Sequence, residues 1–113
     1  MIGVTGASGY VGGRVLAHLQ RSRFQTVAMV RRPATTDARA RPYALAQSLD
    51  PSLLDGVEWV VHAAHDLSQL GDAVRVVNCE GSLPLLDALA ARGRRVWLSW
   101  RPEHTYEIDK EGT

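Results

Sequence analysis

The sequence of 113 residues predicts an α/β fold, a doubly wound parallel sheet of about five strands flanked by helices. Two observations carry this prediction. Short apolar segments alternate with segments of helical periodicity through residues 1–100, and a glycine-rich loop joins the first apolar segment to the first helix. A chain of this length buries one core, so we expect a single domain with right-handed crossovers.

The first thirty residues are predicted to form a βαβ unit. Residues 2–5 are apolar or β-branched and end at a glycine, which favours a strand. The helix that follows has one apolar stripe, formed by Val11, Val15, Leu16 and Leu19. Residues 26–30 are almost entirely apolar, as is typical of a parallel strand covered on both faces.

The rest of the chain continues this alternation. The predicted elements are a mostly irregular segment at 31–42, a weak third strand within 43–47, a short helix from Asp50 to near Gly56, a fourth strand at 58–64, a long helix at 71–92 and a fifth strand at 95–100. Asp50 and Pro51 suit the N-cap and first position of a helix. Pro84 predicts a kink in the long helix, and Gly93 predicts a left-handed cap at its end.

Three glycines at positions 6, 9 and 12 indicate a dinucleotide-binding loop. Gly6 allows the tight turn out of the first strand, Gly9 lets the backbone approach a pyrophosphate, and Gly12 lets the next helix pack close to the sheet. The helix N-terminus directs unpaired N–H groups and positive dipole charge at the phosphates. Glycine spacing alone is weak evidence, but here the required strand precedes it and the required helix follows it.

Composition narrows the class of protein. A net charge of +1 with both signs well mixed gives no electrostatic case for binding nucleic acid or an anionic membrane. No apolar run approaches the roughly 20 residues of a membrane helix, and the first strand begins too early for a signal peptide. The single cysteine, Cys79, suits a reducing compartment. We therefore expect a cytoplasmic protein.

Four blocks in a fixed order give the chain a resemblance to a known family. They are Thr5–Gly12, Val60–Ala64, Val77–Ser82 leading into Leu85–Leu86, and Val96–Ser99. With these blocks the chain resembles the N-terminal cofactor-binding part of the extended short-chain dehydrogenase/reductase superfamily, the NAD-dependent epimerase/dehydratase family. The resemblance implies an NAD(P)-binding Rossmann domain at 1–100, followed here by a polar tail at 101–113. It also implies a substrate domain, which we expect to be absent from this truncated chain.

The resemblance implies a set of cofactor-binding residues. The pyrophosphate loop would consist of Gly6, Ser8, Gly9, Tyr10, Val11 and Gly12. Ala63 and Ala64 match the small residues that keep the wall thin beside the nicotinamide ribose. Relatives often place an adenine-binding Asp after the third strand; Gln47, Ser48 and Leu49 stand in its place, and Ser48 is a poor substitute.

Arg31 and Arg32 bear on which cofactor binds. They follow the second strand, where NAD-preferring relatives commonly carry an acid for the ribose 2′-hydroxyl. A guanidinium can instead pair with a 2′-phosphate, and no repelling acid is nearby in the sequence, so we expect NADP, with NAD as the alternative. For Arg32, a solvated side chain at a strand end is nearly as good an interpretation.

Three polar residues lie near the predicted site, and two of them, His65 and Asn78, have two interpretations each. His65 follows the wall alanines, where an imidazole could transfer a proton, but a hydrogen-bonded structural role is preferred. His62 matches a histidine of the family and is also expected to be structural. Asn78 matches a residue that orders a water in relatives; alternatively it is a polar residue that faces solvent.

The candidate catalytic residues lie at the end of the chain. The family resemblance implies a Ser after the fifth strand and a Tyr-x-x-x-Lys pair, in which the Lys lowers the pKa of the Tyr. Ser99, Tyr106 and Lys110 match these positions. However, the segment that separates Ser99 from Tyr106 is shorter than in relatives, and the tail lacks an apolar stripe to dock a helix.

Three functions therefore remain open. The chain is an NADP-dependent oxidoreductase or nucleotide-sugar epimerase that acts on a small molecule, a non-catalytic module that reports NADP occupancy, or a truncated remnant of a reductase. An uncovered apolar edge beyond the fifth strand predicts self-association or poor solubility.

Overall fold

The computed structural model describes residues 1–34, 39–66, 68 and 70–98. Within them the elements are β1 (Ile2–Thr5), α1 (Tyr10–Arg21), β2 (Thr26–Val30), β3 (Ala40–Pro42), a 3₁₀ helix (Pro51–Leu54), β4 (Trp59–His62), α2 (Asp72–Cys79), a 3₁₀ turn (Glu80–Ser82), α3 (Leu83–Ala91) and β5 (Arg95–Leu98). None of these helices is long and apolar enough to cross a membrane.

The five strands form one parallel sheet in the order β3-β2-β1-β4-β5. In this register Ile2 lies between Thr26 of β2 and Trp59 of β4. The chain runs outward from β1 to β3 and then returns to the other side of β1, so the direction of winding reverses between β1 and β4. Ligands bind at such a reversal point, beyond the carboxyl ends of the strands. The predicted fold class is confirmed.

The core lies between the sheet and the segments that follow β3 and β4. Its fully buried side chains include Met29, Leu54, Val60, Leu85 and Leu89. Asp50 caps the first 3₁₀ helix as predicted, because its carboxylate accepts a hydrogen bond from Ser52 N at 2.9 Å. These contacts anchor the loops that follow β3, which form one side of the functional cavity.

The third strand is not where the sequence analysis placed it. Pairing with β2 runs from Ala28 opposite Ala40 to Val30 opposite Pro42, rather than within residues 43–47. Because β2 ends at Val30, its last hydrogen bond is the one that Tyr43 N donates to the Val30 carbonyl, at 2.9 Å. Beyond that point the chain has no strand to pair with. A proline at the end of this edge strand removes no hydrogen bond from the sheet interior.

The predicted long helix is two helices. A 3₁₀ turn, Glu80–Ser82, separates α2 from α3, and Pro84 lies in the first turn of α3, where its missing N–H leaves no bond unmade. The turn brings Gly81 against the loop after β3, where Ala46 N donates to the Gly81 carbonyl at 3.0 Å. The cap prediction is confirmed: Gly93 has φ +64° and ends α3.

Candidate dinucleotide site

A cavity of about 570 Å³ lies at the carboxyl edge of the sheet, above the loop between β1 and α1. It is bordered by the segments that follow β1, β2, β3 and β4. Nine of the sequence-predicted cofactor residues line it, namely Gly6, Ser8, Gly9, Tyr10, Val11, Gly12, Arg31, Ala63 and Ala64. The structure thus brings together residues that lie up to 58 positions apart, from Gly6 to Ala64.

Gly6 is confined by the end of β4. It has φ +64°, and a Cβ at this position would lie 2.8 Å from the backbone of both Ala63 and Ala64. No larger residue fits without moving the strand end. The loop and the Ala63–Ala64 segment therefore form one continuous backbone floor to the cavity.

Gly12 fits the loop rather than the sheet. A Cβ there would lie 2.6 Å from the carbonyl carbon of Gly6 and 3.1 Å from Ala7 N, so the first turn of α1 rests directly on the loop. We expected Gly12 to let α1 pack close to the sheet; the close contact that it permits is instead with the loop backbone. Gly9 is different: its φ of −86° suits any residue, and the nearest atom to a Cβ is the Gly6 carbonyl oxygen at 3.3 Å.

The N-terminus of α1 opens into this cavity. Gly9 is its N-cap residue, and no side chain caps the helix or places an acid in its first turn. The orphan N–H groups and the positive end of the helix dipole are therefore available to an anion. A floor at which Gly6 admits no side chain, beside an uncapped helix start, fits the pyrophosphate of a dinucleotide.

A buried hydrogen-bond network fixes the Ala63–Ala64 wall. Thr5 Oγ1 lies 2.7 Å from His62 Nδ1 and accepts the N–H groups of Ala63 at 3.0 Å and Ala64 at 3.1 Å. On the other side of the ring, His62 Nε2 lies 2.8 Å from Ser82 Oγ. The network joins the ends of β1 and β4 to the turn between α2 and α3.

Counting protons determines the tautomer of His62. The hydroxyl proton of Ser82 is donated to the Asn78 carbonyl at 2.7 Å, so Ser82 Oγ must accept from His62 Nε2–H. His62 Nδ1 then accepts from the Thr5 hydroxyl. A second ring proton would have no acceptor, and burial lowers the pKa of His62 to about 4. His62 is a neutral structural residue, which agrees with the sequence-based interpretation.

Asn78 holds the loop that follows β4. Its Oδ1 accepts from Asp66 N at 2.7 Å, and its Nδ2 donates to the carbonyls of Asp66 at 2.7 Å and Val74 at 2.8 Å. Neither sequence-based interpretation anticipated this clamp, because the partner lies in a loop of no regular pattern. His65, also from this loop, is exposed and lines the cavity.

Arg31 and Arg32 differ in placement. Arg31 lines the cavity, whereas Arg32, also exposed, is not among its lining residues. The fold also brings an acid into the same cavity: hydrogen bonds from Ser68, and more weakly the charges of Arg31 and His65, lower the pKa of Asp66. The acid that the local sequence around Arg31 lacks is thus supplied from another loop.

Tyr43 lines the cavity without having been predicted to. Its ring is buried edge-on to His62, with centroids 6.0 Å apart, and burial raises its pKa to about 12. Its hydroxyl has no hydrogen-bond partner among the described residues. Of the three residues suggested for the adenine side, Gln47 lines the cavity, and Ser48 and Leu49 do not. Nothing in the local sequence distinguishes Tyr43 from the predicted strand around it.

Ser99, Tyr106 and Lys110 lie outside the described residues, so their catalytic assignment stays a prediction. The part of the chain that the structure describes holds no group of three or more His, Cys, Asp or Glu residues able to bind a metal ion.

The winding of the sheet and the glycine-lined cavity at its switch point define a Rossmann-type α/β domain. The model of the NAD dependent epimerase/dehydratase family matches residues 2–111. The chain belongs to this family. A comparison with curated proteins found no match.

Solved structures support the assignment. A short-chain dehydrogenase/reductase superfamily protein from Agrobacterium tumefaciens with bound NAD is 32% identical, with a TM-score of 0.75 over 96% of this chain and 36% of that chain. MoeE5 in complex with UDP-glucose and NAD is 26% identical, with a TM-score of 0.69 over 86% of this chain and 35% of that chain.

A third structure shows the shared fold alone. UDP-glucose-4-epimerase from Stenotrophomonas maltophila, with bound NAD and formylated UDP-arabinopyranose, is 20% identical, with a TM-score of 0.71 over 90% of this chain and 37% of that chain. The chain thus spans little more than a third of the length of each of these three proteins.

Proposed function

We propose that this chain binds a nicotinamide dinucleotide in the cavity above the glycine loop, and prefers NADP to NAD. The observation that carries the proposal is the backbone floor formed by Gly6 and the Ala63–Ala64 segment beside the uncapped start of α1. This floor suits a pyrophosphate, which needs close backbone approach and N–H donors. The NAD bound to the two relatives of highest identity above supports the class of ligand.

The preference for NADP is assigned to Arg31. It borders the cavity beyond β2, next to the position where the adenosine ribose lies in dinucleotide folds. A guanidinium forms charge-assisted, bidentate hydrogen bonds with a 2′-phosphate, worth on the order of 1.5–3 kcal/mol, or about tenfold or more in affinity. Arg32 serves as a matched comparison, since it carries the same charge one residue further along.

The experiment is a calorimetric titration of NADP and of NAD into the wild-type chain and into the variants Arg31→Ala and Arg32→Ala. We expect the wild type and Arg32→Ala to bind NADP about tenfold or more tightly than NAD. Arg31→Ala should bind the two equally. Equal affinities in the wild type, or an equal loss in Arg32→Ala, would refute the assignment.

We also propose that residues 1–113 do not turn over a substrate by themselves. Hydride transfer needs a pocket that orients the acceptor carbon and excludes water. Among the described residues, those that line the cavity come from the segments at the ends of β1 to β4, and none from α3 or β5. The competing proposal is a compact active site built from Ser99, Tyr106 and Lys110 for a small-molecule substrate. NADPH oxidation that disappears in Tyr106→Phe would support that alternative.

A second surface supports the expected self-association. Phe24, Trp59 and Trp97 lie at an apolar groove of about 480 Å³ beside β4 and β5. Trp97 is 66% exposed and Phe24 is 55% exposed, which is unusual for large apolar side chains gathered in one patch. We propose that a second copy of the chain covers this groove. Sedimentation that shows only monomer at high concentration would exclude it.

A further inference from the structure

The backbone of Asp66, a loop residue, is held in place by the side chain of Asn78. Both of its backbone hydrogen-bonding groups pair with the side-chain amide of Asn78, which is itself tied to the Val74 carbonyl in α2. These bonds fix the Asp66 backbone, and its side chain therefore lines the cavity at a defined position.

The carboxylate of Asp66 is also oriented. Its Oδ1 accepts two hydrogen bonds from Ser68, from the backbone N–H at 2.8 Å and from the hydroxyl at 2.5 Å. These bonds keep the group ionised, since they lower its pKa from an already acidic value. An ionised carboxylate that lines a cavity is a strong acceptor for hydroxyl groups, since its two oxygens together carry about four lone pairs.

The order of the strands indicates which ribose hydroxyls of a bound dinucleotide would lie near the Asp66 carboxylate. Arg31 follows β2 and Asp66 follows β4, so the two residues enter the cavity from the two sides of β1, and Arg31 comes close enough for its charge to contribute to the lowered pKa of Asp66. A dinucleotide bound at a switch point places its two halves on these two sides. If the ribose with the 2′-phosphate lies beside Arg31, the other ribose lies beside Asp66.

We propose that Asp66 accepts hydrogen bonds from the vicinal hydroxyls of the second ribose of the dinucleotide, the ribose that carries the nicotinamide. This inference rests on the proposed dinucleotide binding and extends it to a residue outside the glycine loop. Asn78 and Ser68 act as positioning residues: Asn78 places the Asp66 backbone, and Ser68 orients the carboxylate. No proton is transferred; the hydroxyls donate and the carboxylate accepts.

The test uses two ligands that differ by the second ribose. Calorimetry measures 2′-phospho-ADP-ribose, which has both riboses, and 2′,5′-ADP, which has only the first. The proteins are the wild type, Asp66→Ala, Asp66→Asn and the control Asp72→Asn, which removes an exposed carboxylate from the first turn of α2. Circular dichroism checks that each variant folds.

We expect Asp66→Ala to weaken binding of 2′-phospho-ADP-ribose about tenfold or more and to leave 2′,5′-ADP unchanged. Asp66→Asn, which keeps the turn at Ser68 but loses the charge, should weaken it less, and Asp72→Asn should have no effect. Unchanged or tighter binding of 2′-phospho-ADP-ribose by Asp66→Ala would overturn the inference, because the carboxylate would then be neutral or repulsive towards the pyrophosphate. A wild type that binds neither ligand would overturn the proposed function as well.

Discussion

The hydroxyl oxygen of Thr5 lies 2.7 Å from Nδ1 of His62, at the point where β1 and β4 end side by side. The same oxygen accepts the N–H groups of Ala63 and Ala64. One buried side chain therefore uses its proton and both lone pairs to hold the segment that forms the floor beneath Gly6. Each of these groups has a hydrogen-bond partner in the network, so removing one member leaves its partners unpaired.

Thr5→Val should destabilise the protein by about 2 kcal/mol or more, since it leaves the buried His62 Nδ1 and the part-buried N–H groups of Ala63 and Ala64 without partners. Thr5→Ser keeps the hydroxyl and loses one methyl group, so it should lose only about 1 kcal/mol. The free energy of unfolding in urea measures both variants. If the two variants lose the same amount, packing of the methyl group rather than the hydroxyl network holds the floor.

His62 predicts a loss of stability in mild acid. Its pKa is lowered by burial from 6.5 to about 4 in the folded chain, so the unfolded chain binds more protons between these values. Stability is then fully present above about pH 6.5 and falls as the pH drops towards 4, by on the order of 3 kcal/mol. Unfolding measured across this window in the wild type and His62→Gln should show the slope only in the wild type. His18→Gln, on the exposed face of α1, is the control that should retain the slope.

Tyr43→Phe should stabilise the free protein. The hydroxyl of Tyr43 is buried, and no described residue accepts or donates a hydrogen bond to it. Deleting it removes an unsatisfied polar group and keeps the aromatic contact with His62, so we expect a gain of about 1 kcal/mol. Thermal unfolding measures the change. A lower melting temperature for Tyr43→Phe would mean that the hydroxyl has a partner in solution.

The sequence predicted the fold well because its signals are local. The glycine loop, the apolar strands and the caps at Asp50 and Gly93 each lie within a few consecutive residues, and all are present. The third strand was misplaced because its position is set by pairing with β2, from Ala28 opposite Ala40 to Val30 opposite Pro42, and no pattern within residues 40–47 records that register. The Pro84 segment was read as one kinked helix because a proline pattern does not distinguish a kink from a new helix start.

The candidate site could be predicted only in part. The loop residues and Ala63–Ala64 follow from motifs, and all of them line the cavity. Asp66 and Tyr43 do not belong to any motif, and they reach the cavity because the winding of the sheet brings four loops to one edge. The contacts of Asn78 with Asp66 were not predicted either, because they join a helix to an irregular loop and no sequence pattern marks such a contact.

The glycine loop tests the account most directly, through calorimetry of NADPH binding to the wild type and Gly9→Val. Gly9 lines the cavity in a backbone conformation that valine can adopt, so the fold should survive. The control Gly13→Val places a similar crowded side chain, 3.2 Å from the Ala7 carbonyl oxygen, at a residue that does not line the cavity. We predict that the wild type and Gly13→Val bind NADPH and that Gly9→Val does not, since its side chain occupies the space of the pyrophosphate. Equal NADPH affinity in the wild type and Gly9→Val would contradict the account.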